Sequence, residues 1–130
     1  MPFVSICPAA GAHGELCGLL SIKASLNNKG LERSIVLVPE SAHGTNPASA
    51  SFCGYTTDKI EEDSFGRINL VSLENKLDEN VAAVMVTNPN TCGVFEKDIL
   101  EISKRVHEAG AYLHTDGANF NALVGKIKPA

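Results

Sequence analysis

The chain has 130 residues, enough for one domain with a modest hydrophobic core. Hydrophobic residues make up 44% of it and charged residues 20%, which are ordinary values for a globular protein. The net charge of −4 comes without a basic cluster, so we expect no nucleic-acid partner. The absence of a long apolar stretch and of a signal-peptide pattern predicts a soluble chain without a membrane partner.

Four helices and four strands are predicted to alternate along the chain. A helix is expected over residues 13–29, with Gly30 suited to end it in the left-handed conformation. The continuous apolar run 34–39 predicts a strand buried on both faces. A loop over 41–46 then leads into a short helix to about residue 53, with Pro47 in its first turn.

The second half continues the same alternation. A strand is expected over 55–60, and a helix over 70–78 with Asn69 as its cap. The apolar run 81–86 predicts a further buried strand. A helix over 96–109 and a strand over 111–115 follow. This order of elements predicts an α/β fold in three layers, with a mostly parallel sheet between the helices.

The four cysteines lie too far apart to form a recognisable metal or redox motif. No pair has C-x-x-C spacing, which favours free, mostly buried thiols over a disulfide. A zinc site would need spatial convergence of these residues, and no metal site is predicted. The residues concerned are Cys7, Cys17, Cys53 and Cys92.

Three junctions between strands and helices are rich in small and polar residues. Pro8–Glu15 opens a helix and could either bind an anion such as phosphate or be a plain helix start. Ser41–Pro47 contains His43, which could stack on a ring or could lie exposed in a capping loop. Thr87–Gly93 could offer amides to a ligand or form an ordinary Asn-Pro turn.

Asp116 is the strongest single candidate for a functional residue. It comes at the carboxyl end of the last predicted strand, the region where open α/β sheets bind ligands. A buried carboxylate there needs a cationic partner, and a protonated pyridine nitrogen is one. Capping of the following segment is the alternative interpretation for this residue alone.

Four runs together resemble the P-protein of the glycine cleavage system, a pyridoxal-phosphate-dependent glycine decarboxylase. They are PAAGAHGE at Pro8–Glu15, SAHGTNPASA at Ser41–Ala50, TNPNTCG at Thr87–Gly93 and DGANFNA at Asp116–Ala122. The similarity is greatest to the carboxyl-terminal half, a separate subunit in many bacteria. It implies that residues 1–130 form part of the large domain of a fold-type I pyridoxal-phosphate enzyme, without a second domain.

The resemblance also implies roles for individual residues. Asp116 would pair with the pyridine nitrogen, His43 would stack on one face of the ring, and Ala118 would pack on the other. Asp116 and His43 would be the catalytic pair. Phosphate binding would fall to the helix start, and other polar side chains would contact the cofactor or the substrate. The phosphate residues would be Gly11, Ala12 and His13, the further cofactor residues Thr45 and Asn90, and the substrate residue Asn46.

An oxidoreductase that decarboxylates glycine is the implied enzyme, and it passes the aminomethyl group to the lipoyl arm of the H-protein. The other half of the P-protein or a second copy of the chain would be its partner. Its location would be the bacterial cytoplasm, or the mitochondrial matrix in a eukaryote. The family's Schiff-base lysine would lie beyond Ala130, since Lys126 and Lys128 have a different context. We therefore expect a truncated fragment that is inactive alone.

Two other interpretations remain open. The chain could be a non-catalytic α/β interaction module, or part of another fold-type I amino-acid decarboxylase. The run Ser41–Ala50 argues against the second, because it is specific to the P-protein within this resemblance.

Overall fold

One parallel sheet organises the part of the chain that the computed structural model describes, residues 3–128. Its strands are β1 (Ile35–Pro39), β2 (Thr56–Ile60), β3 (Val81–Thr87) and β4 (Tyr112–Asp116). They lie in the order β2-β1-β3-β4, and every neighbouring pair is parallel. All carboxyl ends therefore lie at one edge of the sheet.

Helices cover both faces of this sheet. They are α1 (Gly11–Asn28), α2 (Thr45–Phe52), α3 (Leu70–Lys76) and α4 (Ile99–Glu108), and a single 3-10 turn at Phe120–Leu123 follows β4. Residues of α1 and α2 pack in one core cluster, and residues of α3 and α4 pack in the other. The predicted three-layer α/β fold is confirmed.

Alternate side chains of the strands separate into the two cores. Val36 and Val38 of β1 face α1 and α2, whereas Leu37 faces the opposite core. Every residue of β3 is buried, as the apolar run predicted. Each fully buried Val or Leu contributes roughly 1.5–3 kcal/mol relative to an exposed one. The buried strands consequently support the loops at the carboxyl edge of the sheet.

Two helix ends follow the sequence signals closely. Gly30 has φ of +68° just after α1, a conformation that costs glycine little and other residues more. Asn69 caps α3, because its Oδ1 accepts from the backbone N–H of Val71 at 2.9 Å and of Ser72 at 3.2 Å. Both ends were predicted from single residues.

Other boundaries differ from the prediction. α4 begins at Ile99 rather than at residue 96, because the buried Glu96 carboxylate accepts from the backbone N–H of Ile68 at 2.8 Å and of Asp98 at 3.1 Å. Glu96 thus fixes a loop instead of starting a helix. β4 lies one residue later than predicted and includes Asp116 as its last residue.

The prediction of mostly buried thiols was wrong. The cysteines are free, but Cys53 alone among the four is buried and the others are exposed. Cys17 lies on the outer side of α1, where the helix faces away from the sheet. Within residues 3–128, no helix is both long enough and apolar enough to cross a membrane.

Candidate functional site

Asp116 and His43 meet at the carboxyl edge of the sheet. Asp116 ends β4, and its Oδ2 lies 2.7 Å from Nε2 of His43, which is in the loop between β1 and α2. The other oxygen, Oδ1, accepts from the backbone N–H of Ala118 at 2.9 Å. The Asp116 side chain is only 10% exposed, so these bonds replace most of its contact with water. The two residues that the resemblance implies as a catalytic pair therefore lie in direct contact, and their catalytic roles stay a prediction.

The carboxyl group of Asp116 is held in its ionised form. Burial raises its pKa, but hydrogen bonds from the His43 side chain, the Ala118 backbone and the Asn46 side chain outweigh burial, and the pKa is lowered overall. Asp116 is therefore an anion at neutral pH at the end of β4, the strand at one edge of the described sheet. A carboxylate in that state can stabilise a cation placed beside it.

The loop that carries His43 is held by hydrogen bonds to both backbone groups of Ser41. The Ser41 N–H donates to Oε1 of Glu62 at 3.1 Å, and the Ser41 carbonyl accepts from Oγ1 of Thr91 at 2.7 Å. Asn90 reaches the same loop through a longer contact of 3.4 Å to Oγ of Ser41. These bonds hold the backbone two residues before His43, so the imidazole is presented from a defined position.

Glu15 and Asn46 form a second hydrogen-bonded pair close to His43 and Asp116. Glu15 is 7% exposed, and its Oε2 accepts from Nδ2 of the fully buried Asn46 at 2.8 Å. Thr87, the last residue of β3, contacts both Asn46 and Asp116 through its hydroxyl. Neither the sequence pattern nor the resemblance implied a role for Glu15. The sequence feature that indicates burial of Glu15 is its position four residues before Leu19, on the buried face of α1.

Within residues 3–128, no side chain caps the free N–H groups at the start of α1. Its N-cap residue, Ala10, makes no such bond, and the first turn contains no acidic residue. Gly11, Ala12 and His13 are exposed there. An uncapped helix start with a positive dipole end fits an anion such as phosphate.

The remaining predicted residues lie along two open grooves. Thr45 borders a groove of about 320 Å³ between the starts of α1 and α2, together with Ala12 and His13. Ala118 and Asn90 border another, of about 410 Å³, beside the loop after β3. The structure therefore places these two sets on different grooves, whereas His43, Asn46 and Asp116 lie together.

Asn90 uses its amide to organise its own loop. Its Nδ2 donates to the carbonyl of Gly66 at 2.9 Å, and its Oδ1 accepts from the backbone N–H of Cys92 at 3.0 Å and of Val94 at 2.9 Å. The predicted contact between Asn90 and a cofactor stays a prediction, since a structural role accounts for every one of these bonds.

His114 is a second partly buried imidazole, on the same face of β4 as Asp116. Burial lowers its pKa, and the negative charges of Glu15 and Asp116 oppose that effect only in part. Its Nδ1 has no hydrogen-bond partner within residues 3–128. Its ring also lies against Gly18 of α1, where a built Cβ would be 2.7 Å from Nε2. His114 thus packs against α1 from within β4, while His107 is exposed on α4.

Three potential metal ligands also converge here. One ligand atom each from Glu15, His43 and Asp116 lies within 4.8 Å of the other two. Within the protein, however, His43 is bonded to Asp116 and Glu15 to Asn46. These groups fit pyridoxal phosphate. The Asp116 carboxylate suits its basic ring nitrogen, the His43 imidazole can stack on its flat ring, and the uncapped start of α1 suits its phosphate group.

Comparison with known proteins gives a consistent set of relatives. Residues 18–125 match the family described as aminotransferase class-V. The chain is 58% identical over 130 residues to the probable glycine dehydrogenase (decarboxylating) subunit 2 of Caulobacter vibrioides, covering 99% of this chain and 25% of that protein. The protein of the same name from Aquifex aeolicus is 54% identical over 97% of this chain and 26% of its own length. The chain thus spans about a quarter of the length of these curated relatives.

Solved structures agree with this assignment. The glycine decarboxylase (P-protein) of the glycine cleavage system, in an inhibitor-bound form, superposes with a TM-score of 0.61 and 28% identity, over 81% of this chain and 22% of that one. Sphingosine-1-phosphate lyase from Burkholderia pseudomallei has a TM-score of 0.74 at 20% identity, over 82% of this chain and 25% of that one, which shows the shared fold. The predicted resemblance to the P-protein is confirmed, and the chain belongs to the aminotransferase class-V family.

Proposed function

We propose that this chain contributes part of the cofactor-binding domain of a pyridoxal-phosphate-dependent glycine decarboxylase in the glycine cleavage system. The observation that carries the proposal is the ionised Asp116 at the end of β4, bonded to His43 at 2.7 Å. It occurs in a chain 58% identical to a protein named as a glycine dehydrogenase subunit. The family match supports pyridoxal phosphate as the cofactor.

Asp116 would hold a proton on the pyridine nitrogen. Its low pKa, which hydrogen bonds maintain against burial, leaves it negatively charged at the pH of the cell. A buried anion stabilises the protonated form of a basic nitrogen beside it and so raises the pKa of that nitrogen. When bound, pyridoxal phosphate supplies a conjugated ring that accepts the electrons left on glycine as carbon dioxide departs.

His43 and Ala118 would hold the ring between them. His43 is 28% exposed and is presented by a loop fixed at Ser41, so its imidazole can turn toward a ligand. Ala118 is exposed just after β4, and its small side chain leaves room for a flat ring. Because His43 bonds Asp116 in this structure, ring binding requires the imidazole to give up that acceptor to the pyridine nitrogen.

The phosphate group would bind at the start of α1. Gly11, Ala12 and His13 leave backbone N–H groups open there. Thr45 borders the same groove and could donate from its hydroxyl. Loss of one hydrogen bond to the charged phosphate group would weaken cofactor binding about tenfold, which corresponds to about 1.4 kcal/mol.

The partners follow from the same proposal. Glycine would be the substrate, and the lipoyl arm of the H-protein would receive the aminomethyl group. We also propose that the chain acts together with the other half of the P-protein, which is a separate subunit, or with a second copy of itself. This would take place in the bacterial cytoplasm. The bacterial sources of the relatives support that location.

Release of labelled carbon dioxide from carboxyl-labelled glycine tests the proposal. The full-length protein encoded with this sequence should release it when lipoylated H-protein and pyridoxal phosphate are both present. Omission of either should abolish release. Equal release from another amino acid, such as glutamate, would instead support a different fold-type I decarboxylase.

The covalent lysine is tested separately. We propose that no lysine of this chain attaches to the cofactor, because neither Lys126 nor Lys128 has the family context. Borohydride reduction of the chain with pyridoxal phosphate, followed by peptide mapping, should leave both lysines unmodified. Stoichiometric labelling of Lys126 would contradict this part of the proposal.

A further inference from the structure

We propose that Glu15 is a positioning residue that acts through Asn46 to hold Asp116, an inference that rests on the cofactor role proposed for Asp116. Glu15 belongs to α1, Asn46 to the first turn of α2, and Asp116 to the end of β4. The contact between them therefore joins three elements at the site. The resemblance implied substrate contact for Asn46 and implied no role for Glu15.

Burial makes the bond between Glu15 and Asn46 significant. Glu15 is 7% exposed and Asn46 is 0% exposed, and their side chains meet at 2.8 Å. A buried carboxylate that loses its donor retains the full cost of desolvation. The Asn46 amide supplies such a donor, so the two side chains hold each other in position.

Glu15 also determines which way the Asn46 amide faces. An ionised carboxylate can only accept hydrogen bonds, so Nδ2 of Asn46 must face Glu15 and Oδ1 must face away. Oγ1 of Thr87 donates to that Oδ1 at 3.3 Å and lies 3.4 Å from Oδ2 of Asp116. A flipped amide would present N–H groups to Thr87 and lose this arrangement.

Asp116 responds to the same amide. Burial raises its pKa, and the Asn46 side chain is among the hydrogen-bonding groups that lower it, with His43 and the Ala118 backbone. Because Asn46 is fully buried, its amide is committed to protein partners rather than to solvent. We therefore assign Asn46 a positioning role in place of the substrate contact.

Two substitutions of Glu15 separate hydrogen bonding from charge. Glu15→Gln and Glu15→Met both remove the negative charge and keep a similar length, but only glutamine retains an oxygen acceptor opposite Asn46. In the cofactor-free chain, a ¹³C NMR titration of the Asp116 carboxyl carbon should give a higher midpoint in Glu15→Met than in Glu15→Gln. Loss of charge alone would shift both variants equally.

Affinity for pyridoxal phosphate gives a second comparison. Glu15→Met should bind it about tenfold more weakly than Glu15→Gln, as expected for one lost hydrogen bond to a charged group. Glu32→Gln, a change at an exposed acid of the same type, is the matched control and should bind as the wild type does. If Glu15→Met does not fold, Asn46→Leu removes the same bond from the other side and should raise the Asp116 midpoint.

Equal Asp116 midpoints in Glu15→Met and Glu15→Gln, with equal affinities, would overturn the inference and leave Glu15 as a residue that only fills space. Failure of the wild-type chain to bind pyridoxal phosphate would count against the proposed function instead. The carboxyl titration would then still decide the positioning role, because it needs no cofactor.

Discussion

Asp116 makes stability depend on pH in a direction that its surroundings determine. Burial raises its pKa, but the bonds from His43, Ala118 and Asn46 lower it overall, so the folded-state pKa lies below the unfolded value of about 3.9. Such a group stabilises the fold above the unfolded pKa, and that stability is lost as the pH falls through the folded pKa.

The prediction for Asp116→Asn follows from that sign. At pH 6 the variant should be less stable than the wild type by about 1.5–3 kcal/mol, the contribution of a hydrogen bond to a charged group. Urea unfolding at a series of pH values should show the difference shrinking below about pH 4. Glu40→Gln, at an exposed acid, is the control for a simple change in net charge. A difference that grows in acid would contradict the account.

His114 should lower stability in a different pH range. Burial lowers its pKa below the unfolded value of about 6.5, although Glu15 and Asp116 oppose this. Between the unfolded and the folded pKa the unfolded chain binds a proton that the folded chain resists, so stability falls as the pH drops below 6.5. An NMR titration of the His114 ring should give a midpoint below 6.5, and His114→Leu should remove that loss. A midpoint above 6.5 would show that the neighbouring acids outweigh burial.

Among individual residues, the sequence pointed to those proposed to bind a ligand better than to those that support them. Asp116 was identified by its place at a strand end, and His43 by its motif. No role was predicted for Glu15, because an acid in an amphipathic helix is ordinarily exposed. Only the fold shows that Glu15 is buried against Asn46. The pairing of His43 with Asp116 likewise required the three-dimensional arrangement.

Helix α1 is held close to β4 by the absence of one side chain. A Cβ at Gly18 would lie 2.7 Å from Cδ2 and Nε2 of His114, which forces a shift of a half-buried ring. At Gly14, one turn earlier in the same helix, a Cβ would lie in open space. The two glycines therefore differ in packing while sharing the same helical backbone.

Substitution of each glycine by alanine tests this contact. Gly18→Ala should destabilise the chain by about 1–3 kcal/mol through overpacking, despite a gain of up to about 1 kcal/mol in helix propensity. Gly14→Ala should show that gain alone. Chemical unfolding measures both, and truncation of the ring in Gly18→Ala/His114→Ala should recover part of the loss. Equal stability of the two single variants would rule out the close approach.

Element types were predictable and some of their ends were not. Apolar runs predicted β1 and β3, because a strand buried on both faces has no polar side. The start of α4 was misplaced, because the buried Glu96 bonds two backbone N–H groups that local sequence does not bring together. Boundaries governed by such long-range contacts lie beyond a local pattern.

The whole site depends on the parallel sheet. Residues from the loop after β1 and from the ends of β3 and β4 are far apart in sequence, and they meet because all strands point the same way. Alternating elements predicted this common edge. The order β2-β1-β3-β4 could not be read from the sequence, since several orders satisfy the same alternation.

The central claim is that Asp116 keeps the ring nitrogen of pyridoxal phosphate protonated. ¹⁵N NMR of pyridoxal phosphate labelled at that nitrogen, bound to the full-length protein at neutral pH, measures the protonation directly. The account predicts a protonated nitrogen in the wild type and an unprotonated one in Asp116→Asn. An unprotonated nitrogen in the wild type, or the same protonated signal in both proteins, would contradict it.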